Sequence, residues 1–441
     1  MKKISISNYG PIHDIELKLE KSMNVVIGPQ ASGKSTLGKS IYFCKKIRDY
    51  FVEYVTTEKN FINTHDNELY INFLKYIRRK YMGCFGTTKH LNNFEIVYHY
   101  GNKKKVMITL DKGFAYFKFS SELSEEIKKI LYEVKVLYRS NWESNNPEYV
   151  LDFSYIVQFY ASMRQRYENI AKILFEDDYE VLYIPAGRSL LSVLSDQLDV
   201  VDTSILDLPM QDFIERIRLT KKNFGTKLDS VVSNYLKTVQ GQIKNANLDI
   251  AQELIHNILK ADYVSNTDGE RLYFDKERWV KLMYGSSGQQ ESLWILMLLF
   301  LIILENKKTY VIIEEPEAHL YPVSQKYMVE LIALTMNSSA SQVFITTHSP
   351  YILSSLNLLI QSSKVEDNGR LKGEETVIKR QLRISPSLIE AYKIDGRQPF
   401  SFVSITDTEL GLINSMEIDT ISDVINEETM KLIDLEIKYD L

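Results

Sequence analysis

The stretch Met23-Asn24-Val25-Val26-Ile27-Gly28-Pro29-Gln30-Ala31-Ser32-Gly33-Lys34-Ser35-Thr36 decides the fold. Five mostly apolar residues lead in, and the spacing predicts a strand over Met23–Ile27, a glycine-bearing loop, and a helix beginning near Lys34. The loop satisfies G-x-x-x-x-G-K-[ST] in full, in the strand-before and helix-after context that the pattern requires. Glycines there let consecutive N–H groups turn inward on an anion, and the helix N-terminus adds a favourable partial charge. Residues Gly28, Pro29, Gln30, Ala31, Ser32, Gly33, Lys34, Ser35 and Thr36 are thus expected to cradle phosphates. Lys34 supplies a mobile positive charge and Ser35 a hydroxyl for Mg²⁺.

Upstream, Ile4 and Ile6 alternate with polar residues, Asn8-Tyr9-Gly10-Pro11 turns, and Ile15, Leu17 and Leu19 resume the alternation: a strand pair. Downstream, Phe94 to Phe119 reads as a β-meander with turns at Gly101-Asn102 and Asp111-Lys112-Gly113. From Ser120 to about Ala261 the period becomes helical, broken by a short strand at Glu180 to Arg188. Strand character returns at Arg271 to Phe274 and Trp279 to Tyr284. A long apolar helix, a strand at Tyr310–Ile313, a helix near Gln325 to Met336 and a strand at Gln342–Thr346 follow. That alternation predicts an α/β core. The expected divisions are 1–120, an N-terminal lobe with phosphate loop and meander; 121–262, a mostly helical insert; 263–360, a C-terminal lobe; and 361–441, a cap ending in an amphipathic helix over Thr420 to Lys438.

Three further motifs bear on chemistry. Tyr310-Val-Ile-Ile313-Glu314-Glu315 is an apolar strand ending in two acids, one placed to hold Mg²⁺ (Glu314) and the other to orient or deprotonate a water (Glu315). Gly285-Ser286-Ser287-Gly288-Gln289-Gln290 opens the apolar helix with two overlapping capping boxes, and could also serve as a second anion site. His348 follows a strand that should lie beside the one ending at Glu315, which brings an imidazole near the γ-phosphate; His13, His65, His90, His99 and His256 read as packing or surface residues.

Composition narrows the field. The 441 residues are 44% hydrophobic and 25% charged, an ordinary folded chain. With 53 basic against 58 acidic side chains the net charge is -5, so contact with a polyanion would rest on local patches. Two such patches are Lys75, Arg78, Arg79 and Lys80, interleaved with Tyr76 and Tyr81, and Lys103-Lys104-Lys105. Cys44 and Cys84 are too few for a disulfide framework or a four-cysteine zinc site. Without an apolar signal core at the start or a membrane-length apolar run, the expectation is a cytoplasmic protein with no membrane partner.

In their order, the phosphate loop, the serine-glycine-glutamine helix start, the acidic strand end and the strand followed by histidine resemble the ATP-binding-cassette ATPases. Ile4-x-Ile6-x-Asn8-Tyr9-Gly10-x-Ile12, Glu314-Glu315-Pro316-Glu317-Ala318-His319-Leu320 and Thr347-His348-Ser349-Pro350 point within them to the chromosome-maintenance, RecF-like and overcoming-lysogenization-defect (OLD)-like branch. Tyr183-Ile-Pro-Ala-Gly-Arg188 resembles a motif of the OLD-like group. The fold implied is a P-loop NTPase of the ABC-type ATPase head, with a helical insert and a small β-meander.

The resemblance implies ATP and Mg²⁺ as ligands and slow ATP hydrolysis by a head-to-tail homodimer or larger homo-oligomer. Lys34 and Ser35 would bind phosphate and metal, Glu314 coordinate the metal, Glu315 activate water, and His348 sense the γ-phosphate. Ser286, Ser287, Gly288 and Gln289 would act on the nucleotide of the neighbouring copy, with Ser286 and Ser287 both open as the hydroxyl that faces it. His319-Leu320 would lie between the two sites. The motif departs from Leu-Ser-Gly-Gly-Gln, the glutamine of the metal-sensing loop is not located, and no coiled-coil arm or Cys-x-x-Cys hook is present. OLD-like nucleases carry a metal nuclease domain after the ATPase, and no Asp-x-Asp pair follows His348 here, so the chain looks like a stand-alone ATPase subunit serving a separate effector, a nuclease, as in antiphage systems of the Septu and PARIS types. The rival readings are a nucleotide-gated scaffold with little turnover and a transporter ATPase subunit.

Overall fold

The computed structural model describes residues 1–57, 61, 63–91, 93–144, 153–193, 200, 202–238, 246–367, 377–395, 400–407, 409–415 and 426–433. Its strands are β1 (Lys3–Tyr9), β2 (Ile12–Lys18), β3 (Met23–Ile27), β4 (Glu95–His99), β5 (Lys105–Asp111), β6 (Phe114–Phe119), β7 (Glu180–Ile184), β8 (Asp262–Asn266), β9 (Gly269–Tyr273), β10 (Trp279–Lys281), β11 (Thr309–Glu314), β12 (Gln342–Thr347), β13 (Ile389–Asp395) and β14 (Ser401–Ser404). The helices are α1 (Lys34–Thr57), α2 (Asp66–Phe85), α3 (Ser121–Ser144), α4 (Phe153–Leu174), α5 (Ser189–Val193), α6 (Leu208–Lys221), α7 (Leu228–Thr238), α8 (Ala246–Leu259), α9 (Ser287–Glu305), α10 (Pro322–Ser339) and α11 (Pro350–Asp367). This is a mixed α/β chain, as the alternation of periods requires. Of the expected terminal helix, residues 426–433 are helical and the rest lies outside the described residues.

Two compact units form. The first holds Met1–Glu20, Ser35–Tyr183 and Thr203–Asp212. Its antiparallel sheet runs β2-β1-β4-β5-β6. Ile4 faces Leu17 and Ile6 faces Ile15 across β1 and β2, so strict alternation collects the apolar residues on one face. Leu37, Ile41, Phe43 and Ile47 of α1 are fully buried, and the Phe43 ring meets Tyr81, Phe85 and Phe117 at 5.2, 6.0 and 6.0 Å. A buried ion pair, Lys45 to Asp177 at 2.5 Å, is completed by Arg48, which donates to the Asp177 carbonyl at 2.9 Å. Breaking one partner of such a pair strands a charge away from water.

The second unit holds Lys21–Lys34, Ile184–Asp202 and Phe213–Leu441. In it β14-β13-β3-β12-β11 lie side by side. β3 pairs in parallel with β12 on one side and β13 on the other, and β12 pairs in parallel with β11. Every residue of β3 except Asn24 is apolar and all five are buried, as are all six of β11, because a parallel sheet is covered on both faces. Register matters most: Ile27 is level with Thr347, and Thr346 with Glu314, so the three strands end together at one edge. In open α/β sheets that carboxyl edge is where ligands bind.

Helix α9 is apolar on every side because it is enclosed; Gln290 to Leu304 are all buried, and it packs against α8 and α10. It is long and apolar enough to cross a membrane, and 78% of its apolar window is buried inside the protein. The stretch Trp279 to Tyr284, expected as one strand, stops at Lys281 and continues as a single 3-10 turn, Leu282–Tyr284.

Candidate active site at the carboxyl edge of the sheet

Residues 28–33 turn tightly after β3: φ is positive at Gly28 (156°), Ala31 (60°) and Gly33 (106°). A Cβ at Gly28 would lie 2.2 Å from the Ile394 carbonyl oxygen of β13, an approach that only glycine permits. The Ser32 side chain is buried, and its hydroxyl has no hydrogen-bond partner, an orphaned polar atom beneath the loop. Lys34 curls back on the loop and donates to the carbonyls of Gly28 and Pro29, each at 2.8 Å. Burial pulls its ammonium down to about 8, against the opposing pull of Glu315, Glu317 and Glu314. Ser35 and Thr36 follow in the first turn of α1.

One strand over, β12 ends at Thr347, and His348 Nε2 lies 3.0 Å from Glu315 Oε1. That hydrogen bond holds the Glu315 carboxyl below its ordinary range despite partial burial. Glu315 has φ 45°, and its N–H donates to the Thr346 carbonyl at 2.9 Å. A left-handed glutamate is costly by about 1–3 kcal/mol and persists only where neighbours hold it. Glu314, the last residue of β11, is buried, and its Oε2 accepts from the Ala186 N–H at 3.1 Å. The structure therefore gathers Lys34, Glu314, Glu315 and His348 in one place.

Two acids and an arginine to which the sequence assigns no role join them. Glu317 Oε1 accepts from Thr347 Oγ1 and from the His348 N–H, both at 2.7 Å, and so fixes the turn that carries the imidazole. Burial pushes its carboxyl upward, and its Oε2 is buried without a partner. Arg188 is fully buried. It donates to the carbonyls of Pro185 (2.5 Å), Glu314 (2.8 Å), Glu315 (3.0 Å) and Glu291 (2.9 Å). Glu291 Oε2 in turn accepts from the Arg188 N–H at 3.0 Å, and Oε1 from the Ser189 N–H at 2.9 Å. The sequence signal for this arginine was the Pro-Ala-Gly-Arg turn directly after β7.

At the start of α9, Ser286 is the N-cap: its Oγ accepts from the Gln289 N–H at 3.4 Å, and Gln289 Oε1 accepts from the Ser286 N–H at 2.9 Å. Gln290 turns away and donates to Met283 and Gly285 carbonyls. The second capping box is absent, and Ser287 is exposed at the first helical position. A Cβ on Gly288 would lie 2.8 Å from the His319 carbonyl oxygen, so the helix start and the His319 turn, itself at φ 58°, are packed against each other.

The basic patch on α2 is partly engaged. Lys80 pairs with Glu53 at 2.8 Å, and Arg79 lies 5.5 Å from the Tyr76 ring, leaving Lys75 and Arg79 exposed and Arg78 partly buried. In the other patch, Lys104 is buried and pairs with Glu126 at 2.7 Å.

Over residues 1–353 the chain matches the AAA ATPase domain family. The DNA replication and repair proteins RecF of Clostridium botulinum strains Eklund 17B / Type B and Alaska E43 / Type E3 are each 35% identical to it over 74 residues, 17% of this chain. The chain covers 20% of the length of these curated relatives. Among solved structures, an SmcHead bound to the C-winged helix domain of ScpA is similar with a TM-score of 0.43 at 11% identity, covering 92% of this chain and 98% of that one. The SMC head domain from Thermotoga maritima gives 0.35 at 12% identity, with the same coverage. The chain belongs to the AAA ATPase domain family.

Proposed function

We propose that this protein binds ATP on the 28–36 loop and hydrolyses it slowly in the cytoplasm, as a head-to-tail pair whose nucleotide state gates a separate effector. The observation that carries the reading is the single cluster of Lys34, Glu314, Glu315 and His348 at the edge where three parallel strands end. In this scheme the loop N–H groups and Lys34 hold the β- and γ-phosphates. Glu315, whose carboxyl the bond to His348 holds below its ordinary range, accepts a proton from the attacking water. The water oxygen then bonds to the γ-phosphorus as the bridging P–O bond breaks, and His348 steadies the transferred group.

Mg²⁺ fits the donors present. The Ser35 hydroxyl and the Glu314 carboxylate are hard oxygen ligands, and no group of three or more His, Cys, Asp or Glu among the described residues makes a metal site without substrate phosphates. When bound, the ion would neutralise charge developing on the β- and γ-oxygens. The turn Ser286, Ser287, Gly288 and Gln289 would complete the site of the neighbouring copy, its serine hydroxyl and helix N-terminus meeting the γ-phosphate. The effector is a nuclease in antiphage defence or DNA maintenance.

The test is phosphate release and nucleotide binding on purified protein. Lys34→Ala should abolish binding. Glu315→Gln should keep binding and lose turnover by about 10²–10⁴-fold, the usual worth of a positioned base. Turnover unchanged in Glu315→Gln would reject the reading. A scaffold gated by ATP alone would keep its biological activity in Glu315→Gln and lose it in Lys34→Ala.

A further inference from the structure

We infer that Arg188 is a positioning residue that makes the catalytic geometry of Glu315 depend on where the start of α9 sits. The inference rests on the hydrolysis proposed above and adds its control. One planar guanidinium reaches three separate pieces of chain. Nη1 holds the Pro185 and Glu314 carbonyls, Nη2 the Glu315 carbonyl, and Nε the Glu291 carbonyl. The loop that carries Arg188 repeats the linkage through its main chain: Ala186 N–H to Glu314 Oε2 on one side, Arg188 and Ser189 N–H to the Glu291 carboxylate on the other.

The bonded carbonyls are what set this apart from a structural ion pair. Those of Glu314 and Glu315 flank the residue held at φ 45°, so they belong to the peptides whose orientation aims the Glu315 carboxylate. The other end of the clamp is Glu291, five residues after Ser286 in the same stretch of chain. A helix is stiff over that length, so a shift of the Ser286–Gly288 turn is carried to Glu291 and through Arg188 to Glu315. The turn that would meet a neighbour's nucleotide and the carboxylate that would activate water are thus joined by one buried side chain. Lysine, a point charge with no fork, could not hold the same four carbonyl acceptors in one plane.

Arg188→Ala, Arg188→Lys and Glu291→Gln should each lower kcat by about 10–100-fold while the ATP dissociation constant stays within about threefold, a loss confined to the transition state. In a Glu315→Gln background the same changes should subtract nothing further from residual turnover, because Arg188 acts through the group already removed. Circular dichroism and the melting temperature report folding. If Arg188→Ala does not fold, the near-isosteric Glu291→Gln carries the test. Equal losses in both backgrounds, or a loss of ATP affinity matching the loss of kcat, would overturn the inference and leave the ATPase reading intact. Wild-type turnover in Glu315→Gln would sink the ATPase reading, and this inference with it.

Discussion

Burial sets the working range of Lys34, the residue proposed to bind phosphate. Its ammonium, ordinarily near 10.5, is pulled to about 8. Between those values the unfolded chain holds more protons on this residue than the folded one does. The contribution of Lys34 to stability therefore rises with pH across about 8 to 10.5, and is unfavourable below it. Nucleotide binding runs the other way, since a polyphosphate favours the ammonium. At pH 9 the free protein carries Lys34 largely neutral and should take up most of a proton when ATP binds; at pH 7 the uptake should be close to none. Calorimetric titrations in two buffers of different ionisation enthalpy measure this directly. Binding without proton uptake at pH 9 would show that Lys34 does not meet the phosphates. Affinity should also fall as pH rises from 8 to 10, for the same reason.

At the scale of elements, α9 separates two serines that are equivalent in the sequence. Ser286-x-x-Gln289 and Ser287-x-x-Gln290 both read as capping boxes, and only the first forms, because the Gln290 amide is drawn back to the carbonyls of the preceding 3-10 turn. Ser286→Ala should therefore cost about 1 kcal/mol of unfolding free energy, the usual worth of an N-cap. Ser287→Ala, at an exposed position, should stay within about 0.5 kcal/mol. Urea midpoints at unchanged slope decide it, and equal costs would mean the cap is assigned to the wrong residue. The same contrast explains what the sequence could tell. Short-range patterns carried the strand pair at Ile4–Leu19, the meander and the loop at Gly28, because alternation and glycine spacing are local. Arg188 could not be assigned a partner, because its acceptors at Glu291, Glu314 and Glu315 lie over a hundred residues away. Nor could the pairing of β13 with β3: Ile389–Asp395 alternates like many surface strands, and only the folded sheet shows it beside the phosphate loop.

For the whole molecule, the site's half-exposed state is the informative feature. The Glu315 and His348 side chains keep 39% and 32% of their surface, and large apolar side chains near the motifs in sequence stand out in solvent: Tyr284 at 72%, Tyr321 at 76% and Tyr351 at 52%. The proposed hydrolysis needs a site that closes, and exposed aromatics close in sequence to its motifs are what the proposed second copy would cover. Glu315→Gln, which should hold ATP without consuming it, is expected to double in mass by light scattering when ATP and Mg²⁺ are added. Lys34→Ala should keep its single-chain mass under the same conditions. Gly288→Ala tests the proposed contact: its new Cβ would press on the His319 carbonyl at 2.8 Å and displace the turn proposed to meet the neighbour. In the Glu315→Gln background it should therefore weaken pairing by about tenfold or more while ATP binding to the single chain persists, since a displaced close contact costs about 1–3 kcal/mol. If Glu315→Gln binds ATP at saturation and its mass stays that of one chain, each site must hydrolyse alone, and the Ser286–Gly288 turn has no neighbour to serve.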